Sequence, residues 1–308
     1  MKRLLSCIIL VIIMLSLTAC SSGKNNTVIR IGVMPDVDSI PLIVALNNGY
    51  FKDAGVDVEI HHFKSAQERD SALQSGNIDG AVSDMLAAAF AKDGGFDVKI
   101  TSMTNGSYKL LVNKDAGVNS IADLKGKNIA ISANTIIEYT TDKILENAGL
   151  KSTDINKVII PQIPTRLEML QNGKVDAATL PDPLASEAVK NGAKLLGSSD
   201  RLGINPGVMV FTSDAIKKNS KGIKAVYEAY NRAVEYLGNQ PVTEYIDLII
   251  KEAGFPEDIK GSIQLPSYTK AEIPSKEDMD DVIDWLTSKQ LVKKSYSYEE
   301  LVDDEFVR

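Results

Sequence analysis

Cysteine and histidine are almost absent from this chain. Its 308 residues hold two of each, Cys7, Cys20, His61 and His62. That excludes zinc fingers, iron–sulfur clusters and a disulfide framework. His61 and His62 are neighbours in a β-rich run, so their side chains point to opposite faces and do not form a joint metal site. Aromatic residues are scarce at 6%, with one tryptophan. An excess of basic charge is missing too. The net charge is −7 with no basic block, which sets nucleic acid aside as a partner. What remains is 44% hydrophobic and 24% charged, an ordinary balance for a folded protein. The abundance of Ala, Ile, Val and Leu suits an α/β protein better than a β-sandwich. The length suggests about two domains.

The first residues read as an export signal. Met1-Lys2-Arg3 precedes an apolar run from Leu4 to Leu17. Such a run is short for a spanning helix and typical of a signal peptide. It ends Leu17-Thr18-Ala19-Cys20, followed by Ser21-Ser22-Gly23-Lys24-Asn25-Asn26. Leu-Thr-Ala-Cys resembles the bacterial lipobox, which implies cleavage before Cys20 and lipidation of that cysteine. Residues 1–19 are then the lipoprotein signal and 20–27 a flexible tether. Cys7 leaves with the signal, so no disulfide forms in the mature chain. Lys2 and Arg3 leave too, and 32 basic residues then face 41 acidic ones. So acidic a body is not drawn to an anionic membrane, and the lipid must do the anchoring, on the extracytoplasmic face.

Short β-rich runs then alternate with helical ones. Strands are expected at Val28–Met34, Val56–Phe63, Ile78–Ser83 and Val98–Met103. Between them, helices are expected from Ser39 to Ala54, from a capping box at Ser65–Glu68 to Gln74, and from Met85 to Lys92 behind an Asp84 cap. The plan repeats with strands at Lys127–Ser132, Lys157–Pro161, Val175–Leu180 and Ala193–Leu196. Its helices are Thr135–Ala148, Thr165–Gln171 and Asp182–Lys190. This alternation predicts crossover units and a mostly parallel sheet in each half. The repeat extends to residues: Leu73-Gln74-Ser75-Gly76-Asn77-Ile78-Asp79 aligns with Leu170-Gln171-Asn172-Gly173-Lys174-Val175-Asp176, and Asp84-Met85-Leu86-Ala87 with Asp182-Pro183-Leu184-Ala185. Beyond residue 213 the pattern is helical, at Lys221–Leu237, Val242–Ala253 and Lys276–Lys289, and these helices must pack on a lobe already present. Tyr108–Val112 and Gly207–Thr212 flank the second half and are the expected crossings of a two-segment hinge. Lobe one is then 28–107 plus 211–308, and lobe two 108–210.

Several motifs now make a resemblance. They are the lipobox, Arg30-Ile31-Gly32-Val33, Pro41-Leu42-Ile43-Val44-Ala45 and Gly49-Tyr50-Phe51-Lys52-Asp53-Ala54-Gly55-Val56. Ser120-Ile121-Ala122-Asp123-Leu124-Lys125-Gly126-Lys127 and Val175-Asp176-Ala177-Ala178 before Asp182-Pro183 follow in order. Together they resemble solute-binding lipoproteins of ABC importers, of the nitrate/sulfonate/taurine and thiamine-pyrimidine-precursor type. The resemblance implies an α/β type II periplasmic-binding-protein fold, two Rossmann-like lobes with ligand between them, and ABC permease subunits as partners. It implies no cofactor and a monomer. Sulfonate-type members often carry aromatic–Glu–Pro where this chain has Leu180-Pro181-Asp182-Pro183. The Cys-rich motif of the related pyrimidine-synthesising enzymes is absent.

Ligands of open α/β sheets bind beyond the carboxyl ends of the strands. The acids there are Asp36, Asp38, Asp84, Glu138 and Asp182, and the bases are Lys64 and Arg166. Ser39, Ser83, Asn134 and Thr135 lie in the same segments, with Phe63 and Tyr139 placed to stack on a flat ligand. Five acids against two bases favour a small, polar, nitrogen-bearing ligand such as an amine or aminopyrimidine. Helix N-termini at the same ends suit the alternative, a sulfonate, taurine or nitrate oxyanion. Asp84 and Asp182 also suit helix caps, and Glu138 dipole compensation. An enzyme on this scaffold, pyrimidine-synthase-like or prephenate-type, would need chemistry the chain does not offer: no Ser/His/Asp order, no body cysteine, no phosphate-cradling Gly loop. A lipid-anchored sensor domain has the same sequence signature as an importer component.

Overall fold

The computed structural model describes residues 28–308. The signal, Cys20 and the tether lie outside them. The chain opens with β1 (Val28–Val33), a 3-10 turn at Val37–Ser39, α1 (Ile40–Asn47), α2 (Tyr50–Asp53) and β2 (Asp57–His62). The single helix expected over 39–54 is thus two. Gly49 at φ 74° breaks it, a left-handed turn that glycine adopts without strain. Next come α3 (Ala66–Gln74), β3 (Gly80–Asp84), α4 (Met85–Asp93) and β4 (Val98–Met103). Ser65 caps α3 through the Glu68 N–H at 3.3 Å. The Glu68 carboxylate reaches back to Lys64 N–H rather than to the cap residue.

The second unit has β5 (Tyr108–Val112), β6 (Asn128–Ile131), α5 (Ile136–Asn147), β7 (Asn156–Ile159) and α6 (Ile163–Gln171). It ends with β8 (Ala177–Pro181), α7 (Leu184–Lys190), β9 (Lys194–Ser198) and α8 (Ser199–Leu202). The chain returns through β10 (Gly207–Thr212) and closes with α9 (Ser213–Asn239), α10 (Ile246–Glu252), α11 (Lys276–Ser288) and α12 (Tyr298–Leu301).

Two five-stranded sheets result, ordered β2-β1-β3-β10-β4 and β7-β6-β8-β5-β9. β10 runs antiparallel between β3 and β4. In the other lobe β5 runs antiparallel between β8 and β9. The two runs expected to be the crossings are therefore interior strands. Every residue of β5 is buried, and every residue of β10 but Thr212, which is the reason: two-sided burial keeps such apolar runs inside a sheet. The actual links are residues 104–107 and 203–206. Residues 207–210, expected in lobe two, pair within the first sheet.

The internal repeat has a structural cause. Asp79 accepts the Arg30 N–H at 2.9 Å, and Asp176 accepts the Asn128 N–H at 2.8 Å. In each lobe the equivalent aspartate fastens the loop before one parallel strand to its neighbour in the sheet, β3 to β1 and β8 to β6. Gly76 and Gly173 stop the preceding helices at φ 72° and 64°, as left-handed C-terminal stops do. The C-terminal helices pack on lobe one as expected. α9 lays Ile223, Val226, Tyr230, Ala233 and Leu237 into the core that also holds α1 and α2. That three-to-four spacing is one face of a helix. α11 packs against α4.

Candidate ligand-binding cleft

The carboxyl ends of the first three strands carry one buried ionic cluster. Asp36 and Asp38 follow β1, Arg69 lies one turn into α3, and Asp84 ends β3. All four side chains are at most 2% exposed. Arg69 pairs with Asp70 at 2.8 Å, stands 3.7 Å from Asp84 and donates to the Val82 carbonyl. Three deeply buried carboxylates thus share one guanidinium, with half-buried Asp70 beside it. Burial pushes the Asp36 carboxyl well above the usual range, and the neighbouring Asp38 adds to this against the pull of Arg69. Burial likewise raises Asp38, and lifts Asp84 to about 6 despite Arg69. Arg69 is raised, because Asp70 and Asp84 outweigh its desolvation.

The three carboxylates do different work. Asp84 caps α4 by accepting the Ala87 N–H at 2.8 Å. Asp38 accepts hydrogen bonds from Thr104 Oγ1 at 2.6 Å and Tyr108 Oη at 3.0 Å. Those residues sit at the two ends of the first link, so Asp38 pins it. Gly106 lies between them because a Cβ there would come within 2.6 Å of the Tyr108 hydroxyl. The second link is tied to the first by Asn205 Nδ2, which donates to the Thr104 carbonyl at 2.6 Å. Of these three carboxylates, Asp36 alone keeps a buried oxygen, Oδ1, with no partner. Ser39 is fully buried and donates to the Asp36 carbonyl at 2.8 Å, shaping this loop.

Lobe two presents a different balance. Asp182 is 1% exposed and pairs with Lys109 from β5, while Ser186 N–H and Oγ donate to its other oxygen. Its carbonyl accepts the Val37 N–H across the cleft at 3.0 Å. Arg166 is fully buried and has no carboxylate partner. Its Nε and Nη1 donate to the carbonyls of Thr179, Ile160 and Pro161, and Nη2 has no partner. Burial alone lowers its pKa to about 9. Thr135 caps α5 through the Ile137 N–H, and exposed Asn134 stands at φ 57° just before it.

Glu138 and Tyr139 leave the cleft floor and meet lobe one's C-terminal helix. Glu138 accepts the Asn134 N–H at 2.7 Å and pairs with Lys157 at 2.6 Å and Lys289 at 3.4 Å. These partners outweigh burial and hold its carboxyl below the ordinary value. Tyr139 inserts into lobe one's core beside Trp285, with ring centroids 5.7 Å apart and planes at 83°. Its hydroxyl donates to Asp281, and the Trp285 indole N–H donates to Asp142 at 3.2 Å. Opposite this seam, the Lys64 carbonyl accepts the Ile163 N–H at 3.2 Å. The Lys64 side chain is exposed. Phe63 is half-buried and packs over Gly32, whose Cβ would come within 3.0 Å of the ring.

The structure therefore gathers Asp36, Asp38, Ser39, Ser83 and Asp84 on one wall, with Asn134, Thr135, Arg166 and Asp182 in segments of the other. Sequence reasoning missed two buried cations. Arg69 lies in the polar run Gln67-Glu68-Arg69-Asp70, which gives no sign of burial. Lys109 did carry a signal, as the one charge inside the apolar run Tyr108–Val112. Among the described residues no group of three or more His, Cys, Asp or Glu could hold a metal ion. No described helix is long and apolar enough to cross a membrane.

Comparison with known proteins follows this architecture. A protein described as an ABC transporter periplasmic binding protein in Brachyspira hyodysenteriae is 25% identical over 260 residues, covering 78% of this chain and 75% of its own. A protein described as an aliphatic sulfonates-binding protein in Bacillus subtilis is 24% identical, covering 74% and 72%. The solved alkanesulfonate-binding protein of Xanthomonas axonopodis pv. citri, bound to MOPS, superposes with a TM-score of 0.78 at 20% identity, covering 90% of this chain and 98% of that one. It shares the two-lobed periplasmic-binding-protein fold. All three are described as binding proteins, not enzymes. The model of the NMT1/THI5-like family matches residues 36–244, more than half of the sequence, and the chain belongs to that family.

Proposed function

We propose that this chain is the solute-binding lipoprotein of an ABC importer, anchored through lipid on Cys20. Its ligand in this reading is a small, polar, nitrogen-bearing molecule of the amine or aminopyrimidine kind. The observation that carries the ligand class is that buried Asp36, Asp38 and Asp84 all lie within the electrostatic reach of the one buried guanidinium of Arg69, with Asp84 3.7 Å from it. Buried carboxylates in excess of buried cations are costly unless protonated or paired. A ligand that brings N–H donors or positive charge completes the pairing, and Asp36 Oδ1 is the atom left to receive it. An aminopyrimidine offers an amino N–H beside a ring nitrogen, which matches one carboxyl group with two hydrogen bonds.

A second reading has its own observation. Arg166 is buried without an acid and keeps Nη2 free, as a receptor for a sulfonate or nitrate would. The names of the relatives agree with that class. One experiment separates the two. Thermal shift with aminopyrimidines, amines, alkanesulfonates and nitrate reports which class binds the folded chain. The first reading expects stabilisation by the nitrogen bases, lost in Asp36→Asn. Stabilisation by alkanesulfonates or nitrate alone, improved by Asp36→Asn, would overturn it.

A further inference from the structure

The two links between the lobes meet at one side chain. Asp38 is 2% exposed, and both of its carboxylate oxygens have partners inside the protein. Oδ1 accepts from Thr104, which opens the first link, and Oδ2 accepts from Tyr108, the first residue of β5. Gly106 of that link lies against the carboxylate, and a Cβ there would stand 2.8 Å from Oδ1. The second link ends at Gly207, where a Cβ would come 3.1 Å from the same Oδ1 and 2.7 Å from Thr104 Oγ1. Neither glycine has a positive φ, so space rather than backbone conformation requires them. The Thr104 N–H donates to the Gly207 carbonyl at 3.0 Å and ties the links together.

Asp38 also belongs to the cleft wall. It shares one 3-10 turn with Asp36, the residue whose Oδ1 is unpartnered. Buried Ser39 closes that turn onto the Asp36 carbonyl, so Asp36 and Asp38 move as one piece. Val37 between them reaches in two further directions. Its N–H donates to the Asp182 carbonyl of lobe two, and its carbonyl accepts Tyr268 Oη at 2.9 Å. The Asp182 N–H in turn donates to the Ser107 carbonyl, in the first link, at 3.0 Å. A turn held in this way cannot shift at Asp36 without pulling on the links at Asp38. Domain closure is absorbed by a few residues in such links, and Asp38 grips both.

We propose that Asp38 is a positioning residue that couples occupancy of the cleft to the angle between the lobes. Its own oxygens are taken, so it acts on the ligand only through the chain. An occupant that moves Asp36, or moves Asp182 against Val37, shifts the turn, and Asp38 carries the shift to both links. The inference rests on the binding-protein reading and on neither ligand class.

Distances between the lobes, measured by pulsed electron spin resonance, test this before any ligand is known. Cys7→Ala and Cys20→Ala remove both native cysteines. Spin labels then go on Lys52→Cys of lobe one and Lys151→Cys of lobe two, both at exposed positions. Without ligand, Asp38→Ala should broaden or shift the distance distribution, and Gly207→Ala should shift it by crowding Thr104. Tyr108→Phe, which loses one hydroxyl, should give a smaller change, and should add nothing when combined with Asp38→Ala. Should Asp38→Ala fold poorly, Tyr108→Phe and Gly207→Ala carry the same reading. The second measurement is affinity for 4-aminopyrimidine, ethylamine, methanesulfonate and nitrate by calorimetry. Asp38→Ala should weaken every probe that binds by one common factor, about tenfold, because the fraction competent to close falls. Weakening of the nitrogen bases alone, with an unchanged distribution, would make Asp38 a ligand contact and overturn the proposal. A parent-like distribution in every variant that folds would overturn it too. If no probe binds the parent protein, both ligand classes fail, and the ligand-free distances still judge Asp38.

Discussion

Tyr139 offers the sharpest test of how the lobes are held. It grows from α5 of lobe two, yet it is 2% exposed within a core cluster of lobe one. Its ring meets Trp285 and its hydroxyl meets Asp281. Truncating a buried aromatic to alanine costs about 3–5 kcal/mol. Contacts with its own lobe survive any separation, so about half, roughly 2 kcal/mol, falls on the contact between lobes. That is about a 30-fold shift toward a separated state. Tyr139→Phe removes only the hydrogen bond, about 1 kcal/mol or fivefold. Trp285 is the only tryptophan in the chain and lies on this seam, so its fluorescence reads the contact directly. Tyr139→Ala should shift its emission to the red, enlarge the radius of gyration in small-angle scattering without ligand, and weaken ligand binding by the populated fraction. A variant that melts earlier, yet keeps wild-type emission, radius and affinity, would show that Tyr139 stabilises its own lobe and does not clasp the other.

Three further outcomes follow from the buried charges and the N-terminus. The folded chain holds a proton on Asp84 up to about pH 6, against 3.8 ordinarily, so this group's contribution is full below about pH 4 and lost as pH rises through 6. Asp84→Asn keeps a capping oxygen and should gain on the order of 3 kcal/mol at pH 7.5. Urea unfolding at pH 4.5 should show little gain, and an equal gain at both values would refute the assignment. Lys109→Met strands the Asp182 carboxylate in the interior and should cost about 3–5 kcal/mol, read by the same unfolding curves; a loss under 1 kcal/mol would mean the pair is not buried in solution. Cys20→Ala should move the protein from the membrane to the soluble fraction on ultracentrifugation, and full retention would exclude lipid anchoring at that residue.

The fold was legible wherever a local rule acted alone. The caps at Ser65 and Asp84, the helix ends at Gln74 and Gln171, and β4 at Val98–Met103 stand where the sequence places them. Legibility failed where partners come from afar. β5 and β10 read as crossings, because an apolar pentamer does not say which strands it will lie between. Asp182 looked like a cleft acid, and only the fold brings Lys109 from 73 residues away to neutralise it. Tyr139 looked like a stacking platform, and its ring is claimed by Trp285, far along the chain. In each case the deciding partner lies far along the chain, since pairing over long separations is a property of the packed molecule.

The position of β10 has a consequence for how the molecule comes into being. Lobe two is an insertion: its five strands lie between residues 108 and 198, and all are present once that stretch has emerged. Lobe one begins earlier but stays incomplete. Until residue 212 appears, its sheet has a gap between β3 and β4 that only β10 fills. Domains fold as units when their parts are available, so the lobe written second matures first. The lobe written first then waits with an open edge on each side of that gap, and such edges invite wrong partners. A chain synthesised N-terminus first meets that order as it emerges. Its most aggregation-prone interval is the passage of about one hundred residues between β4 and β10.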